Sequence, residues 1–237
     1  MSCTDSSNFL FSRIIISVIR LFARLHFKGR EHLPCQGGVV LIGNHISHFD
    51  PFIEGGALSR PVEYLTMSEL FVNPLSRAFF LANGAISINR FGVDRKAVKT
   101  ALERLRAGRV IGIYPEKGLR SGAESFLGGA PFPEGAASLA IMADVPVVPM
   151  VIIGSDKIYA PRLGVRSDVY IHYGPPLFPA HKDKLAFQTE VFLALKCLYA
   201  DMIATYHLNE CDLPHTAQFR KGKRPANQES STDETQK

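Results

Sequence analysis

The chain has 237 residues, of which 46% are hydrophobic and 21% are charged. This length and composition fit one large α/β domain with a substantial core. The formal net charge of +5 suits anionic lipids or phosphate-bearing substrates. Nucleic acid is disfavoured as a partner, because the sequence has no basic array interleaved with aromatic residues, no zinc-finger spacing and no RNA-binding signature. The four cysteines are far apart, which disfavours a metal–thiolate site and a disulfide scaffold and predicts reduced thiols in a cytosolic setting.

The first predicted element is an amphipathic helix over residues 9–27. Its polar residues are spaced at i, i+4, i+7 and i+11 and form one narrow stripe: Arg13, Ser17, Arg20 and Arg24. The segment is long enough to cross a bilayer. A helix lying in the interface keeps its arginines beside anionic headgroups, so we favour an in-plane anchor over a spanning helix or a helix packed on the protein's own core. A cleaved signal peptide is disfavoured, because arginines interrupt the apolar region.

Strands and helices are predicted to alternate after this segment. The strands are expected at 38–43, 62–67, 85–89, 109–114, 145–153 and 168–173, and the helices at 52–58, 68–82, 94–107, 134–143 and 183–206. This alternation predicts an α/β fold with a mostly parallel or mixed central sheet flanked by helices. We therefore expect an anchor segment at 1–30, a folded domain at 31–213 and a disordered polar tail at 214–237.

The most informative sequence feature is the segment from Asn44 to Asp50, which follows the buried apolar run 39–43. It places His45 and Asp50 five positions apart where a strand leaves the core. Imidazole suits general-base work near neutral pH, and a carboxylate bonded to it fixes the tautomer and stabilises the imidazolium. This stretch therefore predicts a base with its orienting carboxylate.

Polar or proline-rich clusters mark three further predicted strands. Residues 84–90 end in Arg90, residues 114–121 contain Glu116, Gly118 and Arg120, and residues 145–149 open another apolar run. Ligands gather at strand ends in sheets of this class. The clusters are therefore candidates for one shared site.

In this order, the four clusters resemble the four motifs of the glycerophospholipid acyltransferase family, and in particular those of the bacterial 1-acylglycerol-3-phosphate acyltransferases. His45 and Asp50 match the NHx4D motif, and Arg90 matches the arginine that ends the second motif. The third motif is matched by Glu116, Gly118, Arg120 and Ser121, and the fourth by Pro146 and Pro149.

The third motif departs from the usual family pattern in two ways. Tyr114 stands where phenylalanine is common, and Lys117 occupies the first glycine position of a Glu-Gly-Gly-x-Arg variant. These departures bear on the identity of the acceptor more than on the chemistry.

The resemblance implies transfer of a fatty acyl group from acyl-CoA or acyl carrier protein to a lipid hydroxyl. His45 is expected to deprotonate that hydroxyl while Asp50 holds the imidazole. The expected acceptor is 1-acylglycerol 3-phosphate, giving phosphatidic acid. The alternatives are glycerol 3-phosphate, a lyso-aminolipid, or an inert lipid-binding protein on the same fold.

The resemblance also implies substrate-binding roles. Arg90 and Arg120 are expected to hold the acceptor phosphate, because guanidinium groups form paired bonds to phosphate oxygens. Glu116 is expected to bind an acceptor hydroxyl or orient an arginine, and Gly118 to let backbone approach the ligand.

No cofactor beyond the thioester co-substrate is expected. The expected partners are membrane lipids and the acyl donor, at the cytoplasmic face of the membrane, which in a bacterium is the inner membrane. His48 with His45 and Asp50 superficially resembles metal-ligand spacing, but no coherent further ligand set is present and no metal site is expected.

Overall fold

In a computed structural model, the described residues are 3–89, 92, 94–159, 166–179, 183–210 and 212–214, with residues 3–12 described by their backbone alone. The helices are α1 Cys3–Phe22, α2 Asp50–Ala57, α3 Pro74–Ala82, α4 Arg95–Arg106, α5 Ser138–Ala143 and α6 Lys184–Tyr206. The strands are β1 Ala23–Lys28, β2 Val39–Gly43, β3 Val62–Met67, β4 Ile86–Ile88, β5 Val110–Ile113, β6 Val147–Ile153 and β7 Ser167–Tyr173. Arg90 and residues 215–237, which make up most of the predicted tail, lie outside the described residues.

The strands form one seven-stranded mixed sheet in the order β1-β7-β6-β2-β5-β3-β4. The five strands from β6 to β4 run parallel, while β7 is antiparallel to β6 and parallel to β1. The predicted α/β fold with a mixed central sheet is confirmed. Because β2, β5 and β6 are parallel, their carboxyl ends meet at one edge of the sheet.

Helices cover both faces of the central strands. Along β2, Val40 and Ile42 pack into the core layer that includes residues of α4, α5 and α6, while Val39 and Leu41 pack into the opposite layer. Every residue of β2 and β6 is buried. This burial on two sides explains why these strands read as continuous apolar runs instead of alternating ones.

The predicted helix at 9–27 is wrong at its carboxyl end. α1 ends at Phe22, and the next six residues form β1, which pairs in parallel with β7 along its whole length. Arg24 therefore does not belong to the helical stripe. It lies on β1 and forms a 2.9 Å ion pair with Asp168.

α1 presents three faces. Ile16 and Ile19 are buried against the domain, and Arg13, Ser17 and Arg20 are exposed along the predicted polar stripe. A third face carries the exposed apolar side chains Ile14, Val18, Leu21 and Phe22. None of the helices in the described part of the chain is long and apolar enough to span a membrane.

Two other predicted helices are shorter than expected. The segment 68–82 divides into a 3₁₀ turn at Ser68–Phe71 and α3, because Asn73 caps a new helix that begins at Pro74. The helix predicted at 134–143 begins only at Ser138.

Candidate active site

The loop between β2 and α2 folds back so that His45 Nδ1 lies 3.0 Å from Asp50 Oδ2. Asp50 is wholly buried, and the same oxygen accepts the backbone N–H groups of Ile46 and Ser47 at 2.8 Å each. Because Asp50 Oδ2 already accepts two backbone N–H groups, it acts as an acceptor, and Nδ1 is the protonated nitrogen that donates to it. Nε2 is then the nitrogen that can accept a proton from a substrate.

A buried serine completes the surroundings of Asp50. Ser155 Oγ donates to Asp50 Oδ1 at 2.5 Å, and Ser155 is wholly buried just beyond the carboxyl end of β6. The sequence reasoning missed this residue. Its position in the sequence could have pointed to it. Ser155 follows Gly154 directly after the apolar run of β6, and the apolar runs of β2 and β5 are also followed by polar residues of the site.

Asn44 fixes the start of the loop to β6. Its side-chain Nδ2 donates to the Ile152 carbonyl at 2.9 Å, and its Oδ1 accepts the Ile152 N–H at 3.0 Å. This amide therefore continues the pairing of β2 with β6 by one further residue. The motif's asparagine thus positions His45 through the backbone.

The segment after β5 holds the backbone of His45 on both sides. Glu116 Oε2 accepts the His45 N–H at 3.2 Å, and the Arg120 N–H donates to the His45 carbonyl at 2.8 Å. Glu116 Oε1 accepts from Ser125 Oγ at 2.6 Å and from the Phe126 N–H at 3.2 Å. Burial raises the pKa of Glu116 although these hydrogen bonds act to lower it.

The Arg120 side chain is half exposed, and its Nη1 lies 3.7 Å from Glu124 Oε2. Such a loose surface pair contributes little stability, so the guanidinium can exchange this partner for an anion. Gly118 and Lys117 line the adjacent cavity. Lys117 has a φ of +55°, which is the left-handed conformation that glycine adopts most readily and which agrees with its place in the glycine position of the motif.

Three aromatic rings are stacked beneath this loop. The His45 and Tyr114 ring centroids are 4.1 Å apart with an interplanar angle of 10°, and those of Tyr114 and Tyr64 are 5.4 Å apart with an angle of 8°. The Tyr114 hydroxyl donates to Glu54 Oε2. Burial raises the pKa of Glu54 well above its usual value, and the nearby Asp50 carboxylate raises it further.

A cavity of about 930 Å³ lies beside His45. This volume is at the upper end of the range typical of small-molecule sites. Its walls are mainly aliphatic and aromatic, with contributions from α2, β3, α3 and α5, including Phe52, Leu65, Phe79, Phe80 and Leu139. The pair formed by His45 and Asp50 therefore borders a large apolar space.

The structure brings His45, Asp50, Glu116, Gly118 and Arg120 together at one edge of the sheet, whereas Arg90 lies outside the described residues. The His48 ring lies 6.5 Å from that of His45, and the His48 N–H donates to the Tyr159 hydroxyl at 2.7 Å. Within the described ranges, no group of three or more His, Cys, Asp or Glu side chains could hold a metal ion.

Comparison with known proteins shows the family to which the chain belongs. Residues 24–153, more than half of the chain, match the model of the family described as Acyltransferase. The chain belongs to the acyltransferase family. The match begins within β1 and ends with β6, so it includes His45, Asp50, Glu116, Gly118 and Arg120.

Two bacterial relatives of this acyltransferase are named 1-acyl-sn-glycerol-3-phosphate acyltransferase. The protein of Borreliella burgdorferi is 25% identical over 174 residues, which cover 71% of this chain and 68% of the relative. The protein of Bacillus subtilis is 27% identical over 180 residues, which cover 73% of this chain and 86% of the relative. Family and relatives together identify the chain as an enzyme of lipid metabolism, in place of the inert lipid-binding alternative.

A solved structure shares the fold of this acyltransferase. The 1-acyl-sn-glycerophosphate (LPA) acyltransferase PlsC from Thermotoga maritima matches with a TM-score of 0.68 at 18% sequence identity. The match covers 84% of this chain and 79% of the other.

Proposed function

We propose that this acyltransferase moves a fatty acyl group from acyl-CoA or acyl carrier protein to the free hydroxyl of 1-acylglycerol 3-phosphate, giving phosphatidic acid. The observation that carries the proposal is the hydrogen-bonded pair His45–Asp50 beside a large apolar cavity. The names of the relatives from Borreliella burgdorferi and Bacillus subtilis support this acceptor.

In the proposed reaction, the acceptor oxygen attacks the thioester carbonyl while Nε2 of His45 takes the hydroxyl proton. Asp50 accepts a hydrogen bond from the Nδ1–H group and stabilises the imidazolium that forms. The tetrahedral intermediate then collapses, the carbon–sulfur bond breaks, and the imidazolium returns its proton to the leaving thiolate. Base catalysis of this kind contributes about 10²–10⁴-fold. The acceptor itself attacks, so the step needs no serine or cysteine nucleophile and no further cofactor.

Arg120 is proposed to hold the acceptor phosphate together with Arg90. Two observations support this role for Arg120. Its side chain is half exposed, and its backbone N–H donates to the His45 carbonyl, so a phosphate bound by Arg120 would lie close to the base. Glu116 acts on His45 through the backbone, and its contact with an acceptor hydroxyl remains a prediction. Gly118 is proposed to let the headgroup approach the loop.

The apolar cavity is proposed to take the acyl chain. Each methylene removed from water contributes about 0.8 kcal/mol, so an aliphatic and aromatic wall holds a long chain without polar contacts. The cavity borders His45, so a chain bound there places its carbonyl end near the base.

An acceptor panel tests the function. Wild type is assayed with 1-acylglycerol 3-phosphate, glycerol 3-phosphate and a lyso-aminolipid, each with acyl-CoA and with acyl carrier protein as donor. The highest kcat/KM is expected with 1-acylglycerol 3-phosphate. A higher value for either of the other two acceptors would overturn the proposal. Lys117, in the glycine position of the third motif, is the departure from the family pattern that bears on the acceptor's identity.

Arg120→Ala sharpens the test of the phosphate contact. Loss of a charge-assisted hydrogen bond to phosphate is expected to raise the apparent KM for 1-acylglycerol 3-phosphate about tenfold or more, while the KM for the donor stays the same. Arg106→Ala, at the exposed end of α4, is the matched control. An unchanged KM of Arg120→Ala for 1-acylglycerol 3-phosphate would show that Arg120 does not bind the phosphate.

We further propose that α1 anchors the enzyme in the plane of the membrane at its cytoplasmic face. Arg13 and Arg20 are exposed beside the outward apolar face of Ile14, Val18 and Leu21, the arrangement of an interfacial helix. Changing these three apolar residues to serine should release the protein from anionic liposomes in a sedimentation assay. Leu185 and Leu193, two exposed leucines of α6, changed in the same way form the control. If the α1 variant, the α6 control variant and wild type all sediment equally with liposomes, the result would contradict the proposal that α1 anchors the enzyme.

A further inference from the structure

We propose that Tyr114 is a positioning residue for His45, and that Glu54 holds Tyr114 in place, so that α2 supports the imidazole from two directions. The inference rests on the proposed function, in which His45 is the base. It goes beyond the motif residues, because Glu54 belongs to none of the four motifs. Tyr114 stands where phenylalanine is common in the third motif, and phenylalanine has no hydroxyl to bond to Glu54.

The first support is the hydrogen bond between Asp50 and the edge of the imidazole. That bond fixes Nδ1 at 3.0 Å from Oδ2, but a ring held by one atom can still tilt about the bond. The Tyr114 ring lies parallel to the imidazole at 4.1 Å and covers one of its faces. The stacked ring therefore restricts this tilt and keeps the Nε2 atom of His45 in one orientation.

The second support begins one helical turn later on α2. Glu54 follows Asp50 at i+4 and is wholly buried, so both side chains project from the same side of the helix. Glu54 Oε2 accepts the Tyr114 hydroxyl, and the Tyr173 hydroxyl donates to the Glu54 carbonyl at 2.8 Å. Glu54 is thus fixed through both backbone and side chain, and it fixes the far end of the Tyr114 ring.

Tyr64 supports the opposite face of Tyr114. Its ring is parallel to that of Tyr114 at 5.4 Å and is almost fully buried. Glycine is required beneath it, since a Cβ at Gly112 would lie 2.3 Å from a Tyr64 ring atom. The Tyr114 ring is therefore enclosed between His45 and Tyr64 and cannot move away from the imidazole along the stacking direction, while its hydrogen bond to Glu54 restrains it within its own plane.

This stack has a consequence for the proton transfer. When His45 takes the proton, the imidazole becomes a cation resting on an aromatic face, and such a face attracts cations. Removing the ring therefore weakens the step that forms the imidazolium more than it weakens substrate binding. The expected signature is a loss in kcat with little change in KM.

The test measures kcat and both KM values of three variants and wild type, with donor and acceptor concentrations varied in turn. Tyr114→Leu removes the ring and is expected to lower kcat about tenfold, with both KM values within about twofold. Tyr114→Phe restores the ring without the hydroxyl and is expected to recover kcat to within about threefold of wild type. Tyr199→Leu removes a partly buried ring of α6 and is the control for a general effect of losing an aromatic side chain; its kcat should match wild type.

A kcat for Tyr114→Leu within about twofold of wild type, measured well below its Tm, would overturn the proposal. So would a failure of Tyr114→Phe to recover activity while its ring stays stacked on His45, whereas loss of both activity and stacking in Tyr114→Phe would support the hold that Glu54 exerts through the hydroxyl. If Tyr114→Leu does not fold, Tyr114→Met takes its place, because methionine fills irregular space without an aromatic face.

A spectroscopic measurement separates this proposal from the proposed function. The His45 ring protons, identified by their absence from the spectrum of His45→Ala, should show an upfield ring-current shift in wild type and Tyr114→Phe. The shift should disappear in Tyr114→Leu or Tyr114→Met, and its persistence there would overturn the stacking role. If wild type acylates none of the acceptors, the proposed function fails, while this shift still decides whether Tyr114 positions His45.

Discussion

Two buried carboxylates lie one turn apart on α2, and their surroundings differ. Asp50 receives four hydrogen bonds, from the imidazole, two backbone N–H groups and Ser155. Glu54 receives one side-chain hydrogen bond, from Tyr114, and among the described residues its Oε1 has no partner. Hydrogen-bond donors make a buried negative charge tolerable, whereas their scarcity favours the neutral acid. This difference supports the proposed role of Asp50 as the acceptor for an imidazolium, whereas burial with few donors favours the neutral form of Glu54, which supports a ring.

Asp50→Asn tests the first half of this comparison and has the largest expected effect. An amide can donate to Nδ1 and select the wrong tautomer, so kcat should fall roughly 10³–10⁴-fold with the fold intact. Initial rates of acyl transfer with purified protein measure the change. Asp168→Asn, which alters the ion pair between β1 and β7, is the control and should retain activity. A loss smaller than about tenfold would mean that Asp50 does not set the tautomer.

Ser155→Ala asks whether the fourth hydrogen bond of Asp50 matters. The substitution leaves Asp50 Oδ1 buried without its hydroxyl donor, and a lost bond to a charged group costs about 1.5–3 kcal/mol. We expect kcat to fall about tenfold because the carboxylate can then shift away from Nδ1. Ser17→Ala removes a hydroxyl that bonds the Arg13 carbonyl on α1 and should leave kcat unchanged. Equal activity of the two variants would exclude Ser155 from positioning Asp50.

Glu54→Gln tests the second half of the comparison and has the smallest expected effect on activity, because glutamine still accepts the Tyr114 hydroxyl. Its effect is on the pH dependence of stability. The raised pKa of Glu54 means that the folded protein keeps a proton that the unfolded chain releases above about pH 4.5. Wild-type stability therefore falls as pH rises from that value towards the raised pKa, by up to about 1.4 kcal/mol per pH unit.

This contribution is absent in Glu54→Gln, so the variant should gain stability relative to wild type as pH increases. Urea unfolding of both proteins between about pH 5 and 8 measures the difference. The groups facing Glu54 are Asp50, Tyr64, Tyr114 and Tyr173, and they are the same in both proteins. A difference independent of pH would show that Glu54 is charged in the folded state.

The contact between His45 and Asp50 could be predicted from the local sequence. His45 and Asp50 are close in the chain, and the turn that joins them is short, with the Asp50 N–H bonded to the Ser47 carbonyl at 3.1 Å. The central strands were also predictable, since their continuous apolar runs reflect burial on both faces. Glu116 and Arg120 were found through their motif, but their hydrogen bonds to the His45 backbone are properties of the folded sheet edge.

Other features depended on tertiary contacts that no local pattern encodes. Ser155 reaches Asp50 across 105 positions of sequence, and the Tyr114 ring reaches His45 only because β2 and β5 are neighbours. β1 was missed because helical periodicity continued into it. Arg24, His26 and Lys28 alternate there with apolar residues, which is the period-two pattern of a strand. This alternation is visible in the sequence, but the long apolar run before it favours a helix that continues through it.

The central claim is that His45 is the general base for acyl transfer. The most direct measurement is the rate of product formation by His45→Ala and wild type, with 1-acylglycerol 3-phosphate and the better thioester donor, both saturating. The account predicts a kcat about 10²–10⁴-fold lower in His45→Ala, while His48→Ala, with its ring 6.5 Å away, stays within a few-fold of wild type. Equal rates for His45→Ala and wild type would contradict it.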